Sequence, residues 1–192
     1  MRFFLLVIGL ILINTAVSQY ATGCIYWYNF GLLGAWLLFD YLSHLRGNNT
    51  ALDLLFNKRT KKFIILFIAL AIFGSVIELV GNAGLGLWSY SHLTPFQLYF
   101  LVPIFYPFIL MSFREMFMLV KSLLKNFTMS VIATIILGII IWEIPNIYSQ
   151  DWIYSIPHIS FEIFHINIIV IIGWVILISG PHYIYRLLKT GG

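Results

Sequence analysis

The sequence predicts an all-α membrane protein with six transmembrane helices. Hydrophobic residues make up 61% of the 192 residues and charged residues only 9%. That is too little polar surface to cover a soluble globule of this size. The apolar residues are gathered into six segments, and the lysines and arginines are confined to alternate connections between those segments. Both features are typical of a chain that crosses a bilayer repeatedly.

The six predicted spans are separated by short polar connections. Their approximate bounds are residues 3–17, 25–42, 63–80, 97–119, 129–142 and 161–184. The second span opens with Tyr26, Trp27 and Tyr28, an aromatic cluster typical of the membrane interface. The fourth span contains Pro103 and Pro107, which a membrane helix tolerates as kinks where neighbouring groups bind the freed carbonyls.

The basic residues predict how the spans are oriented. Every lysine and arginine falls at the N-terminus, in the second-to-third connection, in the fourth-to-fifth connection or at the C-terminus. Because cytoplasmic connections are enriched in these residues, both termini of this multi-pass cell-membrane protein are expected in the cytoplasm. The net charge of +4 therefore indicates topology, and no nucleic-acid partner is expected. Asp40 and His44, at the cytoplasmic end of the second span, are expected to extend to water.

The N-terminus has a second interpretation. Arg2, the short apolar segment and Cys24 could form a signal peptide with a lipidated first cysteine, which would remove residues 1–23. An intact mass would distinguish this from six retained spans. As the single cysteine, Cys24 excludes a disulfide within the chain and a cysteine-rich metal site. The sequons at Asn48 and Asn126 lie in predicted cytoplasmic connections and are expected to stay unmodified.

A short pattern of polar and aromatic residues occurs twice, each time after a long apolar segment. The first copy contains Glu78, Asn82, Trp88 and Tyr90, and the second contains Glu143, Asn146, Trp152 and Tyr154. Asn, Trp and Tyr keep the same mutual spacing, while the Glu is offset by one residue. The pattern predicts a parallel duplication of spans three and four in spans five and six. The single transmembrane domain, 1–192, then divides into 1–62, 63–125 and 126–192.

The two glutamates of the repeat are the first candidates for a functional role. Glu78 and Glu143 are predicted near the edge of the hydrocarbon, where an ionised carboxylate costs up to about 3 kcal/mol and needs a partner, water or a proton. No lysine or arginine is predicted on that side of the membrane. In the alternative, structural interpretation, Glu and Asn complete the frayed helix ends while Trp and Tyr form the outer aromatic belt. A fixed spacing after a glutamate is more than such a belt requires.

A metal site at the start of the sixth span is the second candidate. His158, Glu162 and His165 are spaced four and three residues apart, so a helix that includes His158 would place them on one face. Glutamate followed three residues later by histidine is a ligand pair of helical carboxylate–metal sites. With Glu78 and Glu143, this stripe would hold a metal near the outer surface. Alternatively, these groups face a water-filled cleft or lipid headgroups.

A longer pattern continues from the second copy into the sixth span. It comprises Glu143, Trp152, Tyr154, Pro157, Glu162, Phe164 and Asn167, with Glu78, Trp88, Tyr90 and Pro103 in the first copy. This order resembles the repeated unit of the membrane-embedded lycopene cyclase domains of carotenoid-making prokaryotes and fungi, over about residues 63–180. The Pro-Glu-Glu signature of that family is absent from both copies. Pro157 is separated from Glu162, and no acidic residue follows Pro103 until Glu115.

The resemblance implies acid-catalysed cyclisation of an isoprenoid such as a carotenoid precursor, with no cofactor required. Glu78 and Glu143 would donate the proton to an alkene, and Glu162 or a histidine would remove a proton at the end. The other residues of the pattern would bind the substrate and line the path of the carbocation: Asn82, Trp88, Tyr90, Asn146, Trp152, Tyr154 and Asn167.

A non-enzymatic function is the alternative. Six spans with both termini inside also suit a small solute-binding or transport subunit, or an assembly factor for a larger membrane complex. The chain has no nucleotide-binding loop, so active transport would require a partner. The expected partners are a membrane lipid or isoprenoid substrate and, within the membrane, further copies of the chain or other subunits.

Overall fold

The fold is almost entirely helical. The computed structural model describes residues 2–24, 26–156, 161–163 and 166–190. The α-helices within these residues are α1 (Arg2–Ala21), α2 (Trp27–Leu45), α3 (Ala51–Phe56), α4 (Thr60–Glu78), α5 (Val102–Leu124), α6 (Phe127–Gly138), α7 (Ile144–Ser149) and α8 (Ile168–Thr190). π-Helical segments lie at Leu79–Gly84, Gln97–Leu101 and Ile139–Glu143. The short strands are β1 (Trp88–Tyr90), β2 (Trp152–Tyr154), β3 (Glu162–Ile163) and β4 (Ile166–Asn167).

Several helices have the length and composition of membrane spans. Within the described residues, five helical segments are long and apolar enough to cross a membrane: Arg2–Ala21, Thr60–Gly84, Gln97–Leu124, Phe127–Ser149 and Ile168–Lys189. They agree with the predicted all-α membrane class. The predicted second span forms α2 but is not among these five. The predicted start of the sixth span is wrong, because β3 and β4 pair as antiparallel strands and α8 begins only after them.

Helices α2 and α5 form the centre of the bundle. Helix α2 packs against α1 and α5, and α5 also contacts α4, α6 and α8. Small residues bring α1 and α2 together, since a Cβ on Gly34 would lie only 2.8 Å from the carbonyl oxygen of Gly9. On α5, Leu110, Phe113 and Phe117 recur at helical spacing and are at most 2% exposed. A continuous buried face therefore runs along α5 and connects the two ends of the bundle.

A buried polar cluster surrounds the N-terminus of α3. The backbone N–H of Ala51 donates to Glu115 Oε1 at 2.9 Å, and that of Leu52 donates to Asp40 Oδ2 at 3.0 Å. The first N–H groups of a helix lack partners within the helix, so these carboxylates supply the acceptors. Asp40 is fully buried. The prediction that it extends to water is therefore wrong, although 41% of the His44 side chain is exposed.

Two arginines balance the carboxylates of this cluster. Arg2 forms ion pairs with Asp40, at 3.4 Å, and with Asp53. Arg114 pairs with the neighbouring Glu115, and its side chain is 1% exposed. The predicted topology assigns Arg114 to the fourth-to-fifth cytoplasmic connection. It lies inside α5 instead, because the buried carboxylate beside it needs a cation.

Candidate functional site

The two copies of the repeated pattern meet in a short β-ribbon. Strands β1 and β2 pair antiparallel in the register Trp88↔Tyr154, Ser89↔Ile153 and Tyr90↔Trp152. The Trp of each copy is thus opposite the Tyr of the other. This register has local two-fold symmetry about the central Ser89–Ile153 pair. Such pairing is what two copies of the same orientation would form if the axis between them ran along the membrane normal.

Glu78 accepts three hydrogen bonds from aromatic side chains. Trp88 Nε1 donates to its Oε1 at 3.2 Å, while the hydroxyls of Tyr90 and Tyr106 donate to its Oε2 at 3.0 and 2.7 Å. The residue is only 7% exposed. A buried carboxylate is stable only if donors replace the water that it has lost. Here three neutral donors take that place.

Glu143 is surrounded in the same way by the second copy. Tyr154 and Trp174 donate to its Oε1 at 2.8 and 3.2 Å, and Trp152 Nε1 lies 3.4 Å from its Oε2. Trp152 Nε1 also lies 3.1 Å from the Tyr154 hydroxyl oxygen. Glu143 is 3% exposed. Each copy of the pattern therefore places one carboxylate among a tryptophan, a tyrosine and a third aromatic donor.

The third donor comes from the next long helix and was not predicted. It is Tyr106 of α5 in the first copy and Trp174 of α8 in the second. Both rings lie over a glycine, since a Cβ on Gly74 would overlap Tyr106 and a Cβ on Gly138 would overlap Trp174. These glycines are 64 residues apart, the same separation as Trp88 and Trp152. This separation was a sequence signal that the third donor belonged to the repeat.

The one-residue offset of the glutamate has a structural explanation. Gly74 and Glu78 are four residues apart within α4, whereas Gly138 and Glu143 are five apart across the π-helical segment Ile139–Glu143. A π turn contains an extra residue for the same turn of backbone. The π turn therefore accommodates the extra residue between Gly138 and Glu143, and both carboxylates reach their aromatic donors.

The asparagines of the pattern do not act alike. The Asn146 side chain brackets Trp152, accepting from its N–H at 3.0 Å and donating to its carbonyl oxygen at 2.8 Å. No side-chain hydrogen bond of Asn82 is found within the described part of the chain. Asn167, in β4, accepts from the N–H of Ile169 at 3.0 Å at the start of α8. Asn146 and Asn167 therefore order backbone, and substrate binding by any of the three stays a prediction.

Only one member of the predicted metal stripe, Glu162, lies within the described residues. Glu162 lies in β3, so the helical spacing on which the stripe depended is wrong at this residue. His158 and His165 lie outside the described residues. Within the residues that the structure describes, no group of three potential metal ligands comes together. The role of Glu162 as a base stays a prediction.

An aromatic cavity of about 130 Å³ lies beside the Glu78 cluster, between α2, the β-ribbon and the start of α5. Tyr28, Tyr90, Tyr106 and Trp152 form much of its wall. The rings of Tyr28 and Trp152 pack edge to face, with centroids 4.9 Å apart. From its sequence position, Tyr28 is predicted only to lie at the membrane interface. It lies instead against both copies of the repeat.

The cavity has a polar end and an apolar end. Asp151, His92 and Gln97 contribute polar groups, and Leu32 and Ile109 lie deeper along α2 and α5. Asp151 is fixed in place because its Oδ2 accepts from Trp27 Nε1 at 2.6 Å and from a serine hydroxyl at 2.8 Å. No lysine or arginine is among the described residues that line the cavity. Its ionisable lining is therefore acidic apart from His92.

The two ribbon tyrosines remain neutral donors. Burial raises the pKa of Tyr90 well above 10.0, and the adjacent Glu78 carboxylate raises it further. Burial and Glu143 have the same effect on the pKa of Tyr154. Both hydroxyls therefore keep their protons at neutral pH. The site can solvate a buried negative charge and present ring faces, backed by that charge, to the cavity.

Searches of protein-family models, curated proteins and solved structures find no match to this chain. The resemblance to lycopene cyclase domains thus remains a prediction from the motif.

Proposed function

We propose that this membrane protein binds the positively charged end of a membrane amphiphile in the aromatic cavity. One observation carries the proposal. Tyr90 and Tyr106 both line the cavity, and both donate to the same oxygen of Glu78. The negative charge of Glu78 is thereby coupled to two ring faces that a ligand would touch.

The chemistry of this wall favours a cation. The face of an aromatic ring attracts a positive charge, with about 0.5 to 2 kcal/mol for one contact. A phenol whose hydroxyl donates a hydrogen bond to a carboxylate is polarised by the negative charge, and the polarisation makes its ring more negative. Asp151 adds a second acidic group at the polar end. An anionic headgroup would meet only acidic groups, phenols and His92, without a permanent cation among the described lining residues.

The size and polarity of the cavity limit what enters. A cavity of about 150 Å³ holds one benzene-sized molecule. The 130 Å³ available here therefore suits a compact headgroup rather than a whole lipid. Leu32 and Ile109 extend the lining along α2 and α5. The apolar part of an amphiphile would follow these two helices while its charged end stays beside Asp151.

A binding experiment tests this function directly. Choline and its neutral isostere, in which carbon replaces the ammonium nitrogen, are titrated into the protein in a neutral sugar detergent while tryptophan fluorescence is recorded. We expect choline to bind about tenfold more tightly, since the two differ only in charge. Tyr106→Leu should remove this preference. Tyr148→Leu is the control, because Tyr148 is 78% exposed and does not line the cavity. Equal affinity for both probes would refute the proposal.

Acid-catalysed isoprenoid chemistry is the second candidate, and the same phenols favour it. The Tyr106 hydroxyl joins Glu78 to the cavity. When Glu78 is protonated, its O–H would donate to the Tyr106 oxygen while the phenol passes its own proton to an alkene. The aromatic wall would stabilise the tertiary carbocation. Return of a proton from a neighbouring carbon to the Glu78 carboxylate, by way of the Tyr106 hydroxyl, would complete a redox-neutral rearrangement. Membranes that contain the protein are incubated with an acyclic polyene, and the products are separated by chromatography. Cyclised product that disappears in Glu78→Gln would favour this candidate over simple binding.

We also propose that α2 crosses the membrane as the second of six spans. Its 19 residues correspond to about 28 Å of helix, close to the thickness of the hydrocarbon core. It runs beside α5 from the cavity, where Tyr28 and Tyr106 lie, to the polar cluster, where Asp40 and Glu115 lie. Its lower hydropathy comes in part from Trp27 and Asp40, whose polar groups are hydrogen-bonded inside the bundle. This supports the predicted arrangement with the β-ribbon on the outer face and both termini in the cytoplasm.

A further inference from the structure

We infer that the two copies of the repeat have taken different roles, with Glu78 serving the ligand and Glu143 serving the fold. The inference rests on the cavity being the binding site proposed above. It assigns the difference to one position, the third aromatic donor. That donor is Tyr106 in the first copy and Trp174 in the second.

Tyr106 connects Glu78 to the cavity. Its hydroxyl lies 2.7 Å from Glu78 Oε2, the shortest of the three hydrogen bonds to that carboxylate, and its side chain lines the cavity. Tyr90 does the same from the ribbon. A phenolic hydroxyl is both donor and acceptor. Two of the three groups that hold Glu78 can therefore respond to a charge that arrives in the cavity.

Trp174 connects Glu143 to the core instead. Its ring is 4% exposed and lies 4.8 Å, centroid to centroid, from that of Phe113 on α5. Its indole N–H is a donor only. The Trp174 ring packs directly on the backbone of Gly138, where a Cβ would overlap the ring. This close packing holds the ring in one position. Trp174 thus ties the end of α6 to α8 through the carboxylate.

The other donors to Glu143 follow the same division. Tyr154 does not belong to the cavity lining, whereas its counterpart Tyr90 does. Trp152 does line the cavity, but only its N–H is directed to Glu143, and at the longer distance of 3.4 Å. The second copy therefore contributes a ring face to the ligand site. Its carboxylate holds together α6, β2 and α8.

Matched substitutions test the division of roles. Tyr106→Phe and Trp174→Phe each remove one donor from equivalent carboxylates and keep an aromatic ring. We expect Tyr106→Phe to weaken choline binding about fivefold with a small change in Tm. Trp174→Phe should lower Tm clearly and leave the choline affinity of the folded protein within about twofold of wild type.

Glu78→Gln and Glu143→Gln extend the test to the carboxylates. Glu78→Gln should weaken choline binding with little change in Tm. Glu143→Gln should lower Tm with little change in the choline affinity of the folded protein. If Glu143→Gln does not fold, Trp174→Phe supplies the comparison. Equal loss of choline affinity in the two phenylalanine variants would overturn the inference.

The proposed function can fail separately. If wild-type protein does not distinguish choline from its isostere, the cavity is not a cation site and the ligand role of Glu78 is lost with it. A Tm loss as large in Tyr106→Phe as in Trp174→Phe would show instead that both carboxylates serve the fold. That result would overturn the division even if choline binds.

Discussion

Tyr90 and Trp152 are direct partners across the antiparallel ribbon, and both line the same cavity. Tyr90 belongs to the first copy of the repeat and Trp152 to the second, so one site is built from both copies. Each side chain also contacts the buried glutamate of its own copy. The ribbon therefore joins the two carboxylate clusters through residues of a single aromatic wall.

The glycine that packs against the Trp174 ring is expected to be essential for stability. Gly138→Ala would push its methyl group into the ring of Trp174, and relieving such an overlap costs typically 1 to 3 kcal/mol. Gly173→Ala is the matched control, because a Cβ at this helical position meets nothing within 4 Å. It should be neutral or stabilising by about 0.5 to 1 kcal/mol, since alanine favours helix. Thermal unfolding in detergent measures both. Equal Tm values for the two variants would contradict the packing described here.

Stability should be lost at alkaline pH. The pKa of Tyr90 is raised above 10.0 in the folded protein, whereas the unfolded chain releases this proton near that value. Above pH 10 the folded state therefore keeps a proton that the unfolded chain has released, so the free energy of unfolding decreases as pH rises. Below pH 10 both states hold this proton, and the group makes no pH-dependent contribution to stability. Tyr90→Phe should make the alkaline decrease in Tm less steep. A slope that is unchanged in Tyr90→Phe would refute the assignment.

The buried polar cluster should depend on both members of its inner ion pair. Arg114→Met leaves the fully buried Glu115 without this cation, a change that costs roughly 3 to 5 kcal/mol. Arg46 is exposed, and Arg46→Met should change stability by about 0.5 kcal/mol or less. The double variant Arg114→Met/Glu115→Leu should recover part of the loss, because no uncompensated charge remains. Similar Tm values for the two single variants would mean that the pair is unimportant.

Cysteine labelling in intact cells should establish the topology. Cys24 is first replaced by alanine, and single cysteines are then introduced at exposed positions. A membrane-impermeant maleimide should label Thr22→Cys and Tyr148→Cys from outside, since both lie at the ribbon end of the bundle. Arg46→Cys and Lys125→Cys should react only after permeabilisation. Labelling of residues 22 and 46 from the same side would show that α2 does not cross the membrane.

Composition predicted the class of fold, and the repeated spacing predicted the Glu, Trp and Tyr residues of the two carboxylate clusters. Long apolar segments imply helices in a bilayer whatever their packing, so the all-α class followed directly. The repeated Glu, Trp and Tyr do cluster, because each copy reaches its own carboxylate locally. The separation between Gly74 and Gly138 is also present in the sequence. It would have indicated where a third aromatic ring packs.

The remaining features depend on contacts between distant segments. Nothing in the local pattern of Trp88–Tyr90 or Trp152–Tyr154 shows that the two segments pair, because three residues are too few to give a strand periodicity. The sequence predicts Asp40 in water because it lies near a helix end. Its partners, the Leu52 N–H at the start of α3 and the Arg2 guanidinium, come from elsewhere in the chain. The cavity itself exists only because α2 packs against both copies.

Native mass spectrometry of the protein purified in mild detergent tests the central claim most directly. Wild-type protein should retain one lipid or amphiphile with an ammonium group, identified by fragmentation. Glu78→Gln and Tyr106→Leu should lose it, and Tyr148→Leu should keep it. The same occupancy in all four proteins, or retention of an anionic or uncharged lipid that depends on Tyr106, would contradict a cation site at the junction of the two copies.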